Sequence, residues 1–187
     1  MKRYCVIGFP IKHSLSPQIH NRAFKKLGIS ALYEAAEVQP EDLGKFMRRF
    51  RAQYAGANVT IPHKEKIMKF LDEISEEACE IGAVNVIVNR GGKLIGHNTD
   101  CFGAMEALRT GIKKQESRVM QQPPGRKVVV RGGAQQTAAG SKEMHRRWLL
   151  NKRAVVLGAG GAARAVIYGL KRAGARVLIL NRTLAHA

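Results

Sequence analysis

The alternation of short apolar runs with segments of helical periodicity is the feature that most constrains how this chain can fold. Between the first runs, in residues 16–27 and 41–53, apolar residues recur at the three- and four-residue spacing of an amphipathic helix. Such alternation is typical of a mostly parallel sheet that is covered by helices, and the predicted fold class is therefore α/β. The apolar runs of strand length occupy residues 4–8, 32–36, 56–61, 83–88 and 93–95.

A glycine-rich turn near the end of the chain predicts a dinucleotide site. It follows the apolar run 154–157 and precedes a helical segment, which is the context that the phosphate-binding turn of a β-α-β unit requires. Gly158 allows the tight turn, Gly160 lets the backbone approach a pyrophosphate, and the helix start offers free N–H groups. The alternative is a tight turn without a ligand. The candidate cofactor-binding residues here are Gly158, Ala159, Gly160, Gly161 and Ala162.

The segment after the next apolar run distinguishes NADP from NAD. NAD-specific sites place an acidic residue there, whereas this chain has Asn181, Arg182 and Thr183. An arginine can form a forked, charge-assisted hydrogen-bond pair with a 2′-phosphate, so we predict NADP. The alternative interpretation is that Arg182 is a solvated surface residue. Residues 153–187 hold only one strand–helix–strand pattern, and we expect this second domain to be incomplete.

The charge of the chain is concentrated in its middle. The 187 residues carry a formal net charge of +18, and residues 109–153 contribute 12 basic and only 2 acidic residues. Within this stretch, residues 113–147 are rich in Gln, Gly and Pro, which predicts a flexible or non-native insert. The alternative is a basic arm that contacts nucleic acid, which the near absence of aromatic residues disfavours.

Composition excludes several other classes of protein. A hydrophobic content of 45% is ordinary for a globular chain, and no apolar run approaches the length of a membrane span. We find no signal peptide. The three cysteines form no C-x-x-C pair, and the histidines near the motifs match no zinc spacing, so we predict a cytoplasmic protein without a metal site.

Polar clusters follow the predicted strands of the first hundred residues. Because ligands bind beyond the carboxyl ends of parallel strands, we expect these side chains to converge on one cleft. Hydroxyl and amide groups suit a polyhydroxylated ligand, and a lysine suits a carboxylate or a developing oxyanion. The residues alone thus indicate a sugar-like or hydroxy-acid ligand. Ser16 is also predicted to cap a helix whose first position is Pro17. The candidate residues are Ser14, Ser16, Thr60, Lys64, Asn85 and Asp100.

The motifs taken together resemble the shikimate dehydrogenase family. They occur in family order as G-F-P-I-K-H-S-L-S-P-Q-I-H-N (8–21), N-V-T-I-P-H-K (58–64), G-A-V-N (82–85), N-T-D (98–100), G-A-G-G-A-A-R (158–164) and N-R-T (181–183). The resemblance implies NADP-dependent, reversible reduction of 3-dehydroshikimate to shikimate, a step towards the aromatic amino acids. It also implies a substrate domain followed by a Rossmann-like NADP domain, and we expect these over 1–108 and, only in part, over 153–187. From its composition we expect residues 109–152 to be a flexible basic linker or insert.

The resemblance also assigns a role to each candidate residue. Ser14 and Ser16 match residues that hold the shikimate carboxylate, while Thr60, Asn85 and Asp100 match ligands of the ring hydroxyls. Lys64 and Asp100 match the catalytic pair. Hydride transfer from a secondary alcohol requires the hydroxyl proton to leave, and Lys64 is the group that accepts or returns it.

The chain also departs from the family pattern. Family members are longer, residues 113–147 have no family counterpart, and Val86 stands where threonine is usual. We therefore expect a truncated member that binds NADP weakly and turns over slowly or not at all. A monomer or homodimer with a small-molecule substrate, and no membrane or nucleic-acid partner, fits this interpretation. The alternatives are a quinate-preferring relative, a non-catalytic module with a basic nucleic-acid arm, and a non-functional product that folds poorly.

Overall fold

The computed structural model describes residues 1–120 and 147–182. The chain divides into two compact units, of which the first comprises Met1–Asp100 together with Ala159–Ala165, and the second Cys101–Gly158 together with Val166–Ala187. Across the described residues, no helix combines the length and the apolar character that crossing a bilayer requires.

The first unit is built around a six-stranded sheet in the order β2-β1-β3-β5-β6-β4. The pairs β1–β2, β1–β3 and β4–β6 are parallel, whereas β5 runs antiparallel to both β3 and β6. The prediction of a mostly parallel α/β sheet is confirmed. Its elements are β1 (Lys2–Gly8), α1 (Ser16–Lys26), β2 (Ala31–Glu37), α2 (Leu43–Gln53), β3 (Gly56–Val59), a 3₁₀ helix (Lys66–Phe70), β4 (Glu73–Ile74), α3 (Glu76–Ile81), β5 (Val86–Arg90) and β6 (Lys93–His97).

Local sequence explains most of these boundaries. The β5–β6 hairpin turns through Gly91 and Gly92, both of which have positive φ, as a tight hairpin turn requires. Ser75 caps α3 by accepting the backbone N–H of Ala78, and Gly82 ends that helix in the left-handed conformation. The predicted capping role of Ser16 is wrong, because Ser16 is already the first helical residue and its own N–H is held by the Ser14 hydroxyl at 3.3 Å.

The core of the first unit lies between the sheet and its covering helices. Strands contribute alternate residues, and α2 contributes the apolar stripe that its periodicity predicts. Burying a large apolar side chain contributes about 1.5–3 kcal/mol to the free energy of folding relative to leaving it exposed. The largest fully buried apolar side chains are Phe50, Ile7, Leu43, Ile67, Ile87 and Leu94.

Helix α4 (Asp100–Met120) extends into the segment that was expected to be a linker. Strong helix formers such as Ala107, Leu108 and Arg109 explain the extension, and Gly111 alone does not end the helix. Residues 121–146, which make up most of the predicted basic insert, lie outside the described residues.

The second unit contains a parallel pair of strands, β7 (Arg153–Leu157) and β8 (Arg176–Leu180). Helix α5 (Gly161–Arg172) connects them in the chain, and its residues from Val166 onwards belong to this unit. The predicted strand–helix–strand unit is confirmed. On one face of the pair, alternate apolar residues pack against a cluster centred on Leu149 and Leu170. The apolar residues on the opposite face of the two strands are largely exposed, as is expected for an open two-stranded sheet. These are Val155, Leu157, Leu178 and Leu180.

Candidate active site

Most of the candidate polar residues lie along one edge of the sheet in the first unit, namely the edge that is formed by the ends of its strands. The parallel strands β1 and β3 end there at Gly8 and Val59, and β6 ends there at His97. Because β5 is antiparallel, its amino end lies at the same edge, and Asn85 immediately precedes it. The backbone of Asn85 bridges its neighbours, since its carbonyl accepts the N–H of Val59 at 2.8 Å and its N–H donates to His97 at 3.0 Å.

Lys64 and Asp100 form an ion pair at this edge, as the sequence predicts. The Lys64 Nζ donates to Asp100 Oδ2 at 2.6 Å, and the two side chains are 13% and 28% exposed. The amide of Asn85 donates to the other carboxylate oxygen of Asp100, Oδ1, at 2.8 Å. Both oxygens of the carboxylate are therefore engaged, which holds the group in one orientation and leaves the ammonium of Lys64 close to an anion.

Two neighbouring residues that we did not predict as site residues hold this network. Thr99 donates its backbone N–H to Asn85 Oδ1 at 2.9 Å and accepts the amide of Asn85 on its hydroxyl at 3.0 Å. Asn98 accepts the N–H of Asp100 at 2.9 Å and donates to the carbonyl of Ala83 at 2.9 Å. The Asn98 side chain therefore forms an Asx turn that holds the N–H of the first residue of α4, which is a common role of asparagine and a signal that could have identified it.

The turn that carries Lys64 is held by the backbone and by a buried histidine. The Lys64 carbonyl accepts the backbone N–H of Val84 at 2.8 Å, and the backbone N–H of His63 donates to the carbonyl of Thr60 at 2.9 Å. His63 itself is fully buried, and its Nε2 lies 2.7 Å from the carbonyl oxygen of Val38. Burial lowers the pKa of His63, because the charged imidazolium is poorly solvated there.

The remaining substrate-site candidates lie at the same edge but outside the ion-pair network. Thr60 directly follows β3, and its N–H donates to the carbonyl of Ile7 at 2.9 Å. Ser14 and Ser16 lie at the start of α1, in the segment that follows β1. Their predicted convergence with Lys64 on one ligand stays a prediction.

The glycine-rich turn connects β7 to the first turn of α5. Gly158 has a φ of +99°, a conformation that favours glycine, and its N–H donates to the carbonyl of Leu180 at 2.8 Å. Among the described residues other than its chain neighbours, no heavy atom lies within 4 Å of the position that a Cβ at Gly160 would occupy, so its backbone is open to a ligand. Ala159 is buried, and Ala162 is exposed in the first turn of α5.

The candidates for binding the 2′-phosphate follow β8. Asn181 is partly buried and Arg182 is exposed, while Thr183 lies outside the described residues. Within the described residues, no group of three or more His, Cys, Asp and Glu side chains is arranged to hold a metal ion.

Comparison with known proteins gives one consistent family. The profile of the shikimate dehydrogenase substrate binding domain matches residues 6–87. A shikimate dehydrogenase (NADP(+)) from Thermococcus kodakarensis is 42% identical over 181 residues, which are 96% of this chain and 53% of the relative. One from Bacillus cytotoxicus is 43% identical over 183 residues, which are 97% of this chain and 54% of the relative. The chain thus spans about half the length of these curated relatives.

Solved structures agree with the sequence relatives. Shikimate 5-dehydrogenase from Thermus thermophilus, crystallised in complex with NADP(H) and shikimate, has a TM-score of 0.73 and 36% identity, covering 100% of this chain and 58% of that one. Shikimate dehydrogenase 1 from Peptoclostridium difficile has a TM-score of 0.69 and 30% identity, covering 98% of this chain and 67% of that one.

Proposed function

The chain belongs to the shikimate dehydrogenase family, and on that premise we propose that it catalyses the NADP-dependent, reversible reduction of 3-dehydroshikimate to shikimate. The single observation that carries the proposal is the pair formed by Lys64 and Asp100, whose Nζ and Oδ2 atoms are 2.6 Å apart. A cationic acid–base group held by a carboxylate at the edge of a parallel sheet suits the proton transfer of an alcohol dehydrogenation.

Lys64 moves the proton of the ring alcohol in this proposal. When hydride leaves the carbon, the hydroxyl proton must leave as well, and the neutral amine of Lys64 accepts it. In the reverse direction the ammonium returns that proton to the carbonyl oxygen. Asp100 orients the lysine, and because Asn85 occupies its other oxygen, Asp100 cannot rotate away without losing a second hydrogen bond of 2.8 Å.

The hydroxyl groups at the same edge suit the rest of the substrate. We propose that Ser14 and Ser16 bind the substrate carboxylate, and that Thr60, Asn85 and Asp100 bind ring hydroxyls. The amide of Asn85 already donates to Thr99 and to Asp100, at 3.0 and 2.8 Å. To donate to a hydroxyl, the amide must exchange one of these hydrogen bonds, whereas Oδ1 can act as an acceptor for a hydroxyl O–H.

The glycine-rich turn fits a dinucleotide phosphate. The open backbone at Gly160 and the positive φ of Gly158 leave room for a close approach, and α5 begins with N–H groups that have no partner within the helix. We propose that residues 158–162 hold the pyrophosphate of NADP and that Asn181, Arg182 and Thr183 hold its 2′-phosphate. When bound, NADP supplies the nicotinamide ring that accepts the hydride.

The test compares two lysines that each form an ion pair. Lys64→Ala removes the proposed acid–base group, whereas Lys93→Ala removes an exposed lysine that pairs with Glu73 at 2.6 Å in the same unit. Shikimate binding is measured by calorimetry, and turnover by shikimate-dependent NADPH formation, with quinate as a parallel substrate. We expect the chain to bind shikimate and Lys64→Ala to lower turnover by roughly 10²-fold or more, while Lys93→Ala stays near the unmodified chain.

Two outcomes would overturn the proposal. One is a purified, folded chain that neither binds shikimate nor forms NADPH from it. The other is equal turnover of Lys64→Ala and Lys93→Ala, however slow the turnover of the unmodified chain is. Faster turnover of quinate would assign the chain to a quinate-preferring member of the family.

A further inference from the structure

Gly161, the first residue of α5, lies against the side chain of Lys64. A Cβ at Gly161 would be 3.0 Å from the Cβ of Lys64, 3.4 Å from its Cδ, and 3.2 Å from the Cβ of Ala83. All three residues belong to the first compact unit, which includes residues 159–165. Contacts below 3.4 Å are tighter than a side chain normally accepts, so any residue other than glycine would press on the stem of Lys64.

The adjacent glycine has a different environment. Around Gly160 no heavy atom lies within 4 Å of the position of a Cβ. Close approach of a phosphate to the backbone explains a glycine at 160, but it does not explain one at 161. The φ of Gly161 does not explain it either, since the positive φ in this turn belongs to Gly158. The close contact with Lys64 and Ala83 is what favours glycine at position 161, because a Cβ there would displace its neighbours by a few tenths of an ångström.

A second contact joins the same helical turn to the same segment. Arg164 donates from Nε to the carbonyl oxygen of Ala159 at 3.1 Å, and its Nη2 lies 3.5 Å from Oε2 of Glu65. Glu65 is the residue that follows Lys64. Both partners of this ion pair are about two-fifths exposed, so the pair contributes little energy, but it is a second contact between the first turn of α5 and the segment that carries Lys64.

The position of the Lys64 ammonium depends on such contacts. Lysine has a flexible four-carbon stem, and a proton-transfer group must stay within hydrogen-bond reach of the reacting hydroxyl. The Lys64 backbone is held by Val84 and its Nζ by Asp100, while the backbone of Gly161 lies close to the beginning of its side chain.

We propose that the first turn of α5 positions the side chain of Lys64, with Gly161 as the positioning residue and Arg164 as its anchor on Glu65. The turn proposed to hold the cofactor phosphates therefore also sets the place of the acid–base group. The consequence for the reaction rests on the function proposed above, whereas the consequence for the Lys64 side chain does not.

The test uses neighbouring glycines in the same turn. Gly161→Ala adds a methyl group against Lys64, and Gly160→Ala adds the same group where space is open. The NMR signals of the Lys64 Nζ and Cε, identified by their absence in Lys64→Arg, are recorded without NADP, together with shikimate affinity. A third variant, Gly161→Ala combined with Ala83→Gly, removes one of the two close contacts. Urea unfolding confirms that each variant is folded.

We expect Gly161→Ala to shift the Lys64 signals and, at saturating NADP, to lower shikimate turnover by on the order of tenfold, since a misplacement of about 1 Å can cost about a hundredfold. Gly160→Ala should leave the Lys64 signals recorded without NADP unchanged, and Ala83→Gly should partly restore the signals of Gly161→Ala. A general structural defect would not show this rescue.

The outcomes separate this proposal from the proposed function. Unchanged Lys64 signals in Gly161→Ala, or an equal shift in Gly160→Ala, overturn the positioning role even if the chain oxidises shikimate. A specific shift with rescue supports the positioning role even if the unmodified chain does not bind shikimate, a result that would overturn the proposed function alone.

Discussion

The buried imidazole of His63 makes the stability of the first unit depend on pH. A carbonyl oxygen only accepts hydrogen bonds, so Nε2 carries the proton that His63 donates to Val38 at 2.7 Å. The other ring nitrogen, Nδ1, is buried and has no hydrogen-bond partner among the residues that the structure describes. Protonation of Nδ1 would therefore place both a charge and an unsatisfied N–H in the core, which is why the pKa of His63 is lowered.

The sign of the effect follows from proton counting. Below a pH of about 6.5, the ordinary value for histidine, the unfolded chain binds a proton at His63 that the folded chain does not. The free energy of unfolding therefore decreases as the pH falls below that value. The slope for one proton is at most about 1.4 kcal/mol per pH unit, and the decrease ends when the pH passes the lowered pKa of the folded state.

The assay is urea unfolding of the unmodified chain and of His63→Gln between roughly pH 5 and pH 8, the range in which histidine titrates. The amide of glutamine can donate to Val38 but does not titrate, so the difference between the two stabilities isolates His63 from the carboxylates. We expect this difference to shift in favour of His63→Gln as the pH falls. Two stability curves that stay parallel over the whole range would refute the reasoning.

Two further predictions concern the ion pair and the packing beside it. Asp100→Asn removes the anion beside the partly buried ammonium of Lys64 and should lower the free energy of unfolding by about 1.5–3 kcal/mol. As a control, Glu73→Gln at an exposed ion pair should lower it by less than about 1 kcal/mol. Equal effects of the two substitutions in urea unfolding would contradict this prediction. Gly96→Ala places a Cβ 2.5 Å from a neighbouring side chain and should destabilise the fold by about 1–3 kcal/mol. At Gly103 no atom of the described residues lies within 4 Å of the position of a Cβ, so Gly103→Ala should stabilise helix α4 slightly. A stabilising effect of Gly96→Ala would contradict the packing argument.

Elements with strong local patterns could be predicted from the sequence, and their bounds differ from the structure by a few residues. The predicted strand 83–88 begins only at Val86, although Ala83 and Val84 are fully buried. Their apolar character reflects packing of a loop, since the N–H of Val84 bonds to the carbonyl of Lys64 rather than to a strand. Strand β4 was not predicted because its two residues, Glu73 and Ile74, are defined by pairing with β6 and carry no periodicity of their own.

In the candidate site, too, some contacts could be predicted from short sequence motifs, whereas others depend on residues that are far apart in the chain. Short motifs predicted that Lys64 and Asp100 would meet, and the structure brings them together. The contact of Gly161 with Lys64 joins residues that are far apart in the chain, and a glycine-rich motif predicts a phosphate turn without saying what else the turn touches. The role of Thr99 depends likewise on the side chain of Asn85, which no local pattern reveals.

The antiparallel strand is what assembles the ion-pair network, even though the sheet as a whole is mostly parallel. If β5 were parallel to β3 and β6, a residue that precedes β5 would lie at the opposite edge of the sheet from the residues that follow β3 and β6. Because β5 is reversed, Asn85 at its amino end lies beside the carboxyl ends of β3 and β6. The tight turn at Gly91 and Gly92 then returns the chain along β6, so that Asp100 follows at the same edge as Asn85. The hairpin of β5 and β6, which lies between β3 and β4 in the sheet, thus brings Asn85 and Asp100 to the same strand ends as Lys64.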